Sequence, residues 1–329
     1  MKNQIFKLYT AEDIGSWIET NQLNILDIVK ETYLNFNNGI ANNPDSYFLR
    51  FHDSNKNRII ALPAYIDGAN PIAGLKWISS FPENIEIGYN RASAAVILND
   101  RQTGYPIACM EGSQISAART AASAVLGANY IFHGKKVRTL GVIGLGVISF
   151  EIIKFLTKVG YEIEQILVHD LDETRAKSFC EKLEKSLGLK ASYQNLAKTI
   201  QLSELIIFAT SSTIPYIKDK SLFDHNPAIL HISLRDLDID IIKESYNFVD
   251  DIDHSLKANT SLHLTSISEG NNDFIVSGIA DLINENINVN YDRPRIYSPF
   301  GMGVLDIAVA YRIYLECSAS YQVPNFNLQ

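Results

Sequence analysis

The length, composition and charge of the chain limit the classes of protein to which it can belong. At 329 residues, the chain is longer than one hydrophobic core usually supports, which favours two domains. Lys and Arg number 29 against 37 Asp and Glu, a formal net charge of -8, so nucleic acids and anionic membranes are not expected partners. The three cysteines, Cys109, Cys180 and Cys317, are widely spaced, which indicates neither a disulfide framework nor a zinc site.

The beginning of the chain and its most apolar run carry no targeting or membrane signal. The first residues contain no apolar segment of signal-peptide length. The run of residues 139–150 is too short to span a bilayer and contains three glycines. We therefore expect a cytoplasmic protein that has no membrane partner.

The N-terminal third has the pattern of mixed α and β structure. Thr10 is a candidate N-cap of a first helix, with Asp13 in its first turn, and a second helix is predicted over residues 23–36. Four strand-like segments then predict an antiparallel meander; they are residues 58–65, 72–80, 93–99 and 105–110. A helix rich in Ala and Ser closes this part over residues 114–132.

From residue 136 onward, strands alternate with helices, which predicts a parallel sheet. The predicted strands are residues 139–143, 165–169, 205–209, 228–233 and 248–250. A strand-like segment at residues 295–298 precedes a last helix over residues 304–318, which we expect to return to the first domain. We thus predict an α/β fold with a parallel-sheet domain over residues 126–300 and an α+β domain over residues 1–125 with 301–329.

A glycine-rich segment lies at the start of the parallel part. The run Thr139-Leu-Gly-Val-Ile-Gly-Leu-Gly-Val-Ile-Ser149 predicts a buried strand, a turn and then a helix over residues 150–157. Gly144 permits the tight turn, and Gly146 lets the backbone approach a pyrophosphate, whose charge is favoured at a helix N-terminus. Ser149 replaces the third glycine of the dinucleotide fingerprint and is small enough for close packing. A plain βα turn could contain the same glycines, but the continuing α/β alternation favours a Rossmann-type cofactor domain.

Asp170 follows the next predicted strand, 24 residues after Gly146. A carboxylate at this position accepts hydrogen bonds from the adenosine ribose and repels the 2′-phosphate of NADP. The sequence therefore predicts NAD as the cofactor. Arg175 is the nearby side chain that would weaken this preference by reaching a phosphate.

Several cations lie in apolar or small-residue surroundings, where an unpaired charge is costly. Lys76 interrupts an apolar run, and Arg119 lies among small residues of a predicted helix. Arg50, Arg91 and Arg235 are also next to apolar or small residues. Arginine binds carboxylates through paired hydrogen bonds, so convergence of these side chains predicts a site for a polycarboxylic amino acid. Taken singly, each cation could instead pair with a structural carboxylate or reach solvent.

Asp236 lies just after the predicted strand at residues 228–233. Ligands of open α/β sheets bind at the carboxyl ends of the strands, so this carboxylate is placed for acid-base chemistry. An equally weighted interpretation is that Asp236 caps a helix over residues 237–244. His231 lies within an apolar strand and is expected to be structural.

A series of segments, spread over nearly the whole chain, resembles the ornithine cyclodeaminase/mu-crystallin family. The segments are Arg58-Ile-Ile-Ala-Leu-Pro63, Gly74-Leu-Lys-Trp77, Arg91-Ala-Ser93, Val96-Ile-Leu-Asn-Asp100, Gly104-Tyr-Pro-Ile107, Ser116-Ala-Ala-Arg-Thr-Ala-Ala122, the turn from Gly144 to Ser149, Ser233-Leu-Arg-Asp236 and Gly301-Met-Gly-Val-Leu-Asp306. The resemblance implies an NAD-dependent enzyme and a homodimer built through the β-structure of the first domain, which also binds the substrate.

The resemblance also implies roles for individual residues. Arg50, Lys76 and Arg119 bind substrate carboxylates, and Asp236 is the catalytic acid-base, with Lys76 beside it in the catalytic set. Arg91 and Arg235, from their apolar or small-residue surroundings, are predicted as further substrate cations. The predicted cofactor contacts are Gly144, Leu145, Gly146, Val147, Ile148, Asp170, Arg175, Thr210 and Ser233. No metal is predicted.

Within the family, the chain is most similar to the dehydrogenases of 2,3-diaminopropionate biosynthesis. Such enzymes use NAD to oxidise N-(1-amino-1-carboxyl-2-ethyl)-glutamate to 2,3-diaminopropionate and 2-oxoglutarate, for siderophore or peptide-antibiotic assembly. Cyclodeaminases carry Gly-Gly-Asp-x-Pro-Gly-Lys where this chain reads Leu234-Arg-Asp-Leu-Asp-Ile-Asp240, which argues against ornithine cyclisation. The resemblance is also compatible with an alanine dehydrogenase or ketimine reductase, and with a non-catalytic, crystallin-like NAD(P)-binding protein. Lys76 and Asp236 favour an enzyme.

Overall fold

The computed structural model describes residues 5–324, which divide into two compact units. The first unit comprises the described residues up to Arg119 and those from Gly301 onward; the second runs from Thr120 to Phe300. Residues 1–4 and 325–329 of the predicted first domain lie outside the described residues. The predicted domain boundary at residue 126 stays a prediction, because one helix runs through this region.

The described residues form strands and helices in the following order. The strands are β1 (Ile5–Tyr9), β2 (Ala41–Asn42), β3 (Tyr47–Phe51), β4 (Ser54–Ile66), β5 (Ile72–Ser80), β6 (Ala92–Asp100), β7 (Pro106–Glu111), β8 (Lys136–Ile143), β9 (Glu162–His169), β10 (Ala191–Tyr193), β11 (Leu205–Phe208), β12 (Ala228–His231), β13 (Tyr246–Val249), β14 (Ile275–Gly278), β15 (Arg295–Ser298) and β16 (Tyr321–Pro324). The helices are α1 (Ala11–Thr20), α2 (Gln22–Asn37), α3 (Ser113–Ile131), α4 (Val147–Lys158), α5 (Glu173–Leu187), α6 (Leu196–Gln201), α7 (Ile239–Lys243), α8 (Ile252–Ser255), α9 (Ser261–Glu269), α10 (Ile279–Ile283) and α11 (Gly303–Glu316). Short 3-10 helices cover Pro82–Ile87 and Lys220–Phe223.

The first unit is built on a mixed sheet with the strand order β16-β1-β7-β6-β5-β4-β2, and β3 pairs with β4. The antiparallel pairing of β4, β5, β6 and β7 confirms the predicted meander. α11 packs against β4, β5 and β6, as predicted for the last helix. The contact is close at Gly74, where a Cβ would lie 2.7 Å from the Cδ1 atom of Ile307.

Local sequence accounts for the first helix of this unit. The Thr10 hydroxyl accepts a hydrogen bond from the Asp13 backbone N–H, and the Asp13 carboxylate accepts one from the Thr10 N–H, which forms a capping box. The apolar side of α1 then places Ile14, Trp17 and Ile18 in the core. The predicted N-cap is therefore confirmed.

The second unit contains an eight-stranded parallel sheet with the order β10-β9-β8-β11-β12-β15-β13-β14. β11 and β12 are buried along their whole length, as expected for strands covered on both faces. The segment predicted at residues 295–298 is β15, which lies between β12 and β13 inside this sheet. α4 begins at Val147, three residues before the predicted start. Within residues 5–324, no helix combines the length and apolar character that crossing a bilayer requires.

Candidate functional site

The turn between β8 and α4 leaves an open surface beside Gly146. Gly144 has a φ of +84°, and a Cβ there would lie 2.6 Å from the carbonyl oxygen of Ala209, so the turn passes too close to the neighbouring segment for any side chain. A Cβ on Gly146 would meet no described atom within 4 Å. Gly146 is the N-cap of α4 and makes no side-chain cap, and Val147 after it is exposed. A pyrophosphate fits such a helix N-terminus.

Asp170 at the end of β9 lies directly against this turn. Its carboxylate accepts a hydrogen bond from the Leu145 backbone N–H at 3.1 Å, and the Arg175 guanidinium lies 4.0 Å from it. Ser149 is fully buried and donates its hydroxyl to the Gly144 carbonyl at 2.5 Å. The predicted cofactor residues of this turn are therefore neighbours in space, and their contacts with a cofactor stay a prediction.

The first unit contains a buried group of charges that we call the cation cluster: Lys76, Arg119, Asp306 and Ser116. Lys76 Nζ lies 2.6 Å from Asp306 Oδ2 and 3.2 Å from Ser116 Oγ. Arg119 donates from Nε to Asp306 Oδ1 at 3.2 Å. Lys76, Arg119 and Asp306 are 2%, 8% and 0% exposed. Two cations thus share one carboxylate away from water, and the cluster keeps an excess of positive charge.

The charge of Lys76 depends on its buried surroundings. Burial lowers the pKa of Lys76 to about 8; the Asp306 carboxylate opposes this shift, and the nearby Arg119 adds to it. The ammonium group therefore changes its charge within a pH range in which enzymes are commonly assayed. Below that pH, the cluster is suited to hold an anionic group.

Asp306 had no role in the predictions made from sequence. It lies on α11 between apolar neighbours, and its side chain is 0% exposed. A signal was present, because a carboxylate in an apolar helix and two cations in apolar segments each require a buried partner of opposite charge. Sequence alone does not say that these three charges meet.

The other predicted substrate cations lie on or beside other strands. Arg50 on β3 is exposed and stands opposite Arg58 of β4, which stands opposite Ser80 of β5. Ser80 is four residues along β5 from Lys76, so Arg50, Arg58 and Lys76 point to the same face of the sheet. Arg91 immediately precedes β6, and its buried Nε has no hydrogen-bond partner among the described residues.

Arg235 belongs to the second unit and is held by a backbone carbonyl. Its Nε and Nη2 atoms donate to the Ala258 oxygen at 3.1 and 2.7 Å. Burial lowers the pKa of Arg235, which the Asp236 charge opposes. Two of its donors are thus occupied, and a substrate contact of Arg235 stays a prediction.

The second unit also contains what we call the carboxylate network: Asp236, Thr210, Ser233 and His231, at the carboxyl ends of β11 and β12. Asp236 accepts hydrogen bonds from the Thr210 hydroxyl at 2.5 Å and from the Ser233 hydroxyl, and His231 Nε2 lies 3.2 Å from its Oδ2 atom. Leu234 has a φ of +67°, which turns the chain so that Asp236 reaches back to β12. Asp236 and His231 are both 0% exposed.

The interpretation of Asp236 as a helix cap is wrong. α7 begins at Ile239, and its N-cap is Asp238, whose side chain accepts a hydrogen bond from the Asp240 N–H. The cap is two residues later than the sequence suggested, because the residues after Asp236 first pair with the chain at Ile217. The Asp236 carboxylate is therefore committed to the network.

Hydrogen bonds decide the protonation of Asp236. Burial would raise its pKa, but the hydrogen bonds and charge of His231 and the hydroxyls of Ser233 and Thr210 outweigh burial and lower the pKa below its usual value. Burial, followed by the Asp236 charge, raises the pKa of the neighbouring Tyr216 well above its ordinary value. Asp236 is thus an anion at neutral pH. The sequence pointed to Asp236 but to neither His231 nor Tyr216 as its neighbour.

The chain is similar to known proteins along most of its length. It matches the model of the ornithine cyclodeaminase/mu-crystallin family over residues 7–320. It is 30% identical over 267 residues to the N-((2S)-2-amino-2-carboxyethyl)-L-glutamate dehydrogenase of Staphylococcus aureus, a match that covers 79% of each chain.

Two solved structures show the same fold. The Delta(1)-pyrroline-2-carboxylate reductase of Thermococcus litoralis, solved with NADH and L-proline, superposes with a TM-score of 0.87 at 24% identity and covers 94% of this chain and 97% of its own. An archaeal alanine dehydrogenase dimer with bound NAD superposes with a TM-score of 0.83 at 25% identity and covers 95% and 96%. The predicted fold class is confirmed. The chain therefore belongs to the ornithine cyclodeaminase/mu-crystallin family, as its sequence motifs indicated.

Proposed function

We propose that this chain uses NAD to oxidise N-((2S)-2-amino-2-carboxyethyl)-L-glutamate, with 2,3-diaminopropionate, 2-oxoglutarate and NADH as the products. The coarser predictions, an enzyme of this family and NAD as its cofactor, are confirmed by the named dehydrogenases and by the relative that holds NAD. The finer proposal of the substrate rests on the similarity to the Staphylococcus aureus enzyme and on the charges of the first unit.

The cation cluster is the observation that carries this proposal. Lys76 and Arg119 share the single carboxylate of Asp306, and burying an uncompensated positive charge costs free energy. A substrate carboxylate would compensate that charge. An arginine and a lysine also hold a carboxylate through directed, charge-assisted hydrogen bonds, which fixes the orientation of the bound molecule.

A substrate with three carboxylates needs further cations, and the same sheet face offers them. Arg50 and Arg58 stand directly opposite each other on that face, although like charges in such a pair repel. Two neighbouring guanidinium groups favour an anionic ligand group beside them. We therefore propose that Arg50 and Arg58, with Arg91 near the same strand ends, bind the carboxylates that the cation cluster does not.

The glycine turn of the second unit fits the dinucleotide. Gly146 offers an open backbone surface at the N-terminus of α4, and Asp170 supplies a carboxylate beside it. In this proposal, residues 144–148 hold the pyrophosphate and Asp170 holds the adenosine ribose. Thr210 and Ser233 lie at the carboxyl ends of neighbouring strands, where ligands of such sheets bind.

In this proposal, residues of the chain orient the substrate and transfer a proton, and the cofactor accepts the hydride. NAD, when bound, accepts a hydride. Lys76 and Arg119 hold the substrate so that its Cα–H bond is presented in one orientation. Asp236 takes a proton from the water that adds to the oxidised substrate, a role that suits its lowered pKa and anionic state.

A second candidate is an alanine-type dehydrogenase. The structure brings together two of the predicted substrate cations, Lys76 and Arg119, around one carboxylate. That excess of charge is sufficient for a single substrate carboxylate. Alanine is therefore the competing substrate, and the contribution of Arg50 and Arg58 decides between the two.

An absorbance assay for NADH tests the proposal. We expect NADH to form with NAD and the diaminopropionate-glutamate conjugate, and not with alanine, proline or ornithine. Asp236→Asn should abolish NADH formation and leave NAD binding intact, while Asp240→Asn on the exposed side of α7 should change neither. Faster turnover of alanine than of the conjugate would favour the second candidate, and consumption of ornithine without NADH would reveal a cyclodeaminase.

Two further parts of the proposal concern the oligomeric state and the cellular role of the enzyme. We propose a homodimer, by analogy with the alanine dehydrogenase relative, which is a dimer, and light scattering of the purified protein measures this. We also propose, from the resemblance alone, a cytoplasmic enzyme whose product enters siderophore or peptide natural-product assembly.

A further inference from the structure

His231 has a hydrogen-bond partner for its Nε2 atom in either protonation state. Nε2 lies 3.2 Å from the Asp236 Oδ2 atom and also 3.2 Å from the Asp236 backbone nitrogen. A nitrogen without a proton accepts from the backbone N–H, and a nitrogen with a proton donates to the carboxylate. These two hydrogen bonds exclude each other, so one proton selects between them without any movement of heavy atoms.

The second ring nitrogen, Nδ1, also has a hydrogen-bond partner in either protonation state. Nδ1 lies 3.4 Å from the hydroxyl of Ser298, which can donate or accept. The ring of Phe208 packs edge-on against the imidazole, with 6.1 Å between the ring centres. The imidazole is thus held in one orientation and can gain or lose a proton although it is 0% exposed.

We propose that His231 and Asp236 act as one proton-accepting couple, in which the proton taken from the reacting group comes to rest on His231 Nε2. This inference rests on the proposed function, which supplies the reacting group. In it, His231 is a positioning residue that acts through Asp236. A charged imidazole beside a carboxylate is a neutral pair, which a buried site tolerates better than a lone carboxylate.

The proton can reach the couple through a hydroxyl. Thr210 and Ser233 are half-buried and both donate to Asp236. When the reacting group loses a proton to the Ser233 hydroxyl oxygen, that hydroxyl passes its own proton to Asp236 Oδ2. The new O–H bond at Oδ2 breaks as an N–H bond forms at His231 Nε2. The hydroxyl and the carboxylate end as they began, and no electrons are exchanged.

Other charged and titratable groups act on this couple. Arg235 and Tyr216 both interact electrostatically with Asp236, and Asp170 acts on Tyr216. Arg235 favours the carboxylate form, whereas burial and then the same carboxylate keep the phenol of Tyr216 neutral. Their contributions are the same in variants that change only His231, so such variants isolate the imidazole.

The activity test compares His231→Gln with a control variant, His225→Gln. His225 belongs to the same unit and contacts the Ser203 carbonyl. We expect His231→Gln to lower kcat by about tenfold or more, because a weaker base remains. We also expect the acid limb of the kcat profile to move to lower pH by about one unit or more, since a carboxylate ordinarily takes up a proton at lower pH than an imidazole. His225→Gln should leave both unchanged. An acid limb that stays in place in His231→Gln would overturn the proposal, even if kcat falls.

A second measurement needs neither turnover nor a variant that folds. Nitrogen NMR of the wild-type imidazoles should show that the His231 Nε2 signal changes between a proton-bearing and a proton-free form over roughly pH 5 to 8, the range in which imidazoles ordinarily titrate. A His231 signal that stays constant over this range would refute the couple. If no substrate yields NADH, the proposed function fails, and the NMR result still decides on the couple.

Discussion

At the residue scale, Asp306 is the side chain on which the cation cluster depends. Its two carboxylate oxygens bind Lys76 and Arg119 separately. Asp306→Asn would leave two buried like charges without a compensating carboxylate, so we expect the free energy of unfolding to fall by about 3–5 kcal/mol. Urea unfolding measures this change.

A surface ion pair supplies the matched control for Asp306. Lys56 and Glu83 are paired at 3.3 Å with both side chains largely exposed, and such pairs contribute about 1 kcal/mol or less. Glu83→Gln should therefore change urea unfolding little. Equal losses in Asp306→Asn and Glu83→Gln would contradict the central role given to Asp306.

The lowered pKa of Lys76 makes substrate binding depend on pH. Above the pKa of about 8 the ammonium group loses its proton, so the KM for an anionic substrate should rise, approaching roughly tenfold per pH unit. Lys76→Arg keeps the charge at all of these pH values and should remove the rise. The lowered pKa of Lys76 sets a test range of roughly pH 7 to 10. A wild-type KM that stays constant over this range would argue against contact between Lys76 and the substrate.

The same shift predicts how stability changes with pH. The pKa of Lys76 is about 8 in the folded chain, against the ordinary lysine value of 10.5 expected in the unfolded chain. Between these two pH values the unfolded chain therefore binds one more proton. The contribution of Lys76 to the free energy of unfolding therefore rises with pH across this window. Comparison of urea unfolding in the wild type and in Lys76→Met isolates that contribution.

At the element scale, the turn between β8 and α4 contains two glycines with different roles: Gly144 is needed for folding and Gly146 for cofactor binding. Gly144→Ala places a Cβ 2.6 Å from the Ala209 carbonyl at a φ of +84°, so we expect lower thermal stability. Gly146→Ala meets no described atom and should keep the stability but weaken NADH binding, because the Cβ projects where the pyrophosphate is expected.

Thermal unfolding and NADH fluorescence titration, made on the same two variants, test this separation. The expected pattern is a lower melting temperature in Gly144→Ala alone and a higher Kd for NADH in Gly146→Ala. Wild-type affinity for NADH in a stable Gly146→Ala protein would place the cofactor elsewhere.

The elements that the sequence predicted well have strong patterns of their own. The segment from β4 to β7 consists of apolar runs separated by turn residues, and the capping box at Thr10 marks the start of α1. β3 and β16 were missed because they are short and largely exposed, and β1 was missed because it is a run of only five residues. The place of β15 between β12 and β13 depends on long-range pairing, which local periodicity does not contain.

The candidate site was predictable only where a single residue carries the signal. Gly144, Gly146 and Asp170 follow from spacing, and Lys76 and Arg119 follow from charges in apolar segments. Asp306 is 230 and 187 residues away in sequence from Lys76 and Arg119, and His231 is five residues from Asp236. None of these pairings has a local pattern. Contacts of this kind come from packing of the chain.

At the scale of the whole molecule, the two units have separate tasks. The first holds buried positive charge, and the second has the glycine turn and an ionised carboxylate. The alternation of strands and helices after residue 136 was enough to predict a parallel sheet in the second unit, because parallel strands need crossover helices. The identity of the substrate depends on a few arginines and cannot follow from the fold.

Transfer of an isotope tests the central claim most directly. The conjugate N-((2S)-2-amino-2-carboxyethyl)-L-glutamate, deuterated at the glutamyl Cα, is incubated with NAD and the protein, and the mass of the nicotinamide product is measured. Direct hydride transfer from that carbon predicts NADH carrying the deuterium, in equal amount to the 2-oxoglutarate released. Unlabelled NADH, or 2-oxoglutarate without NADH, would contradict the proposed oxidation.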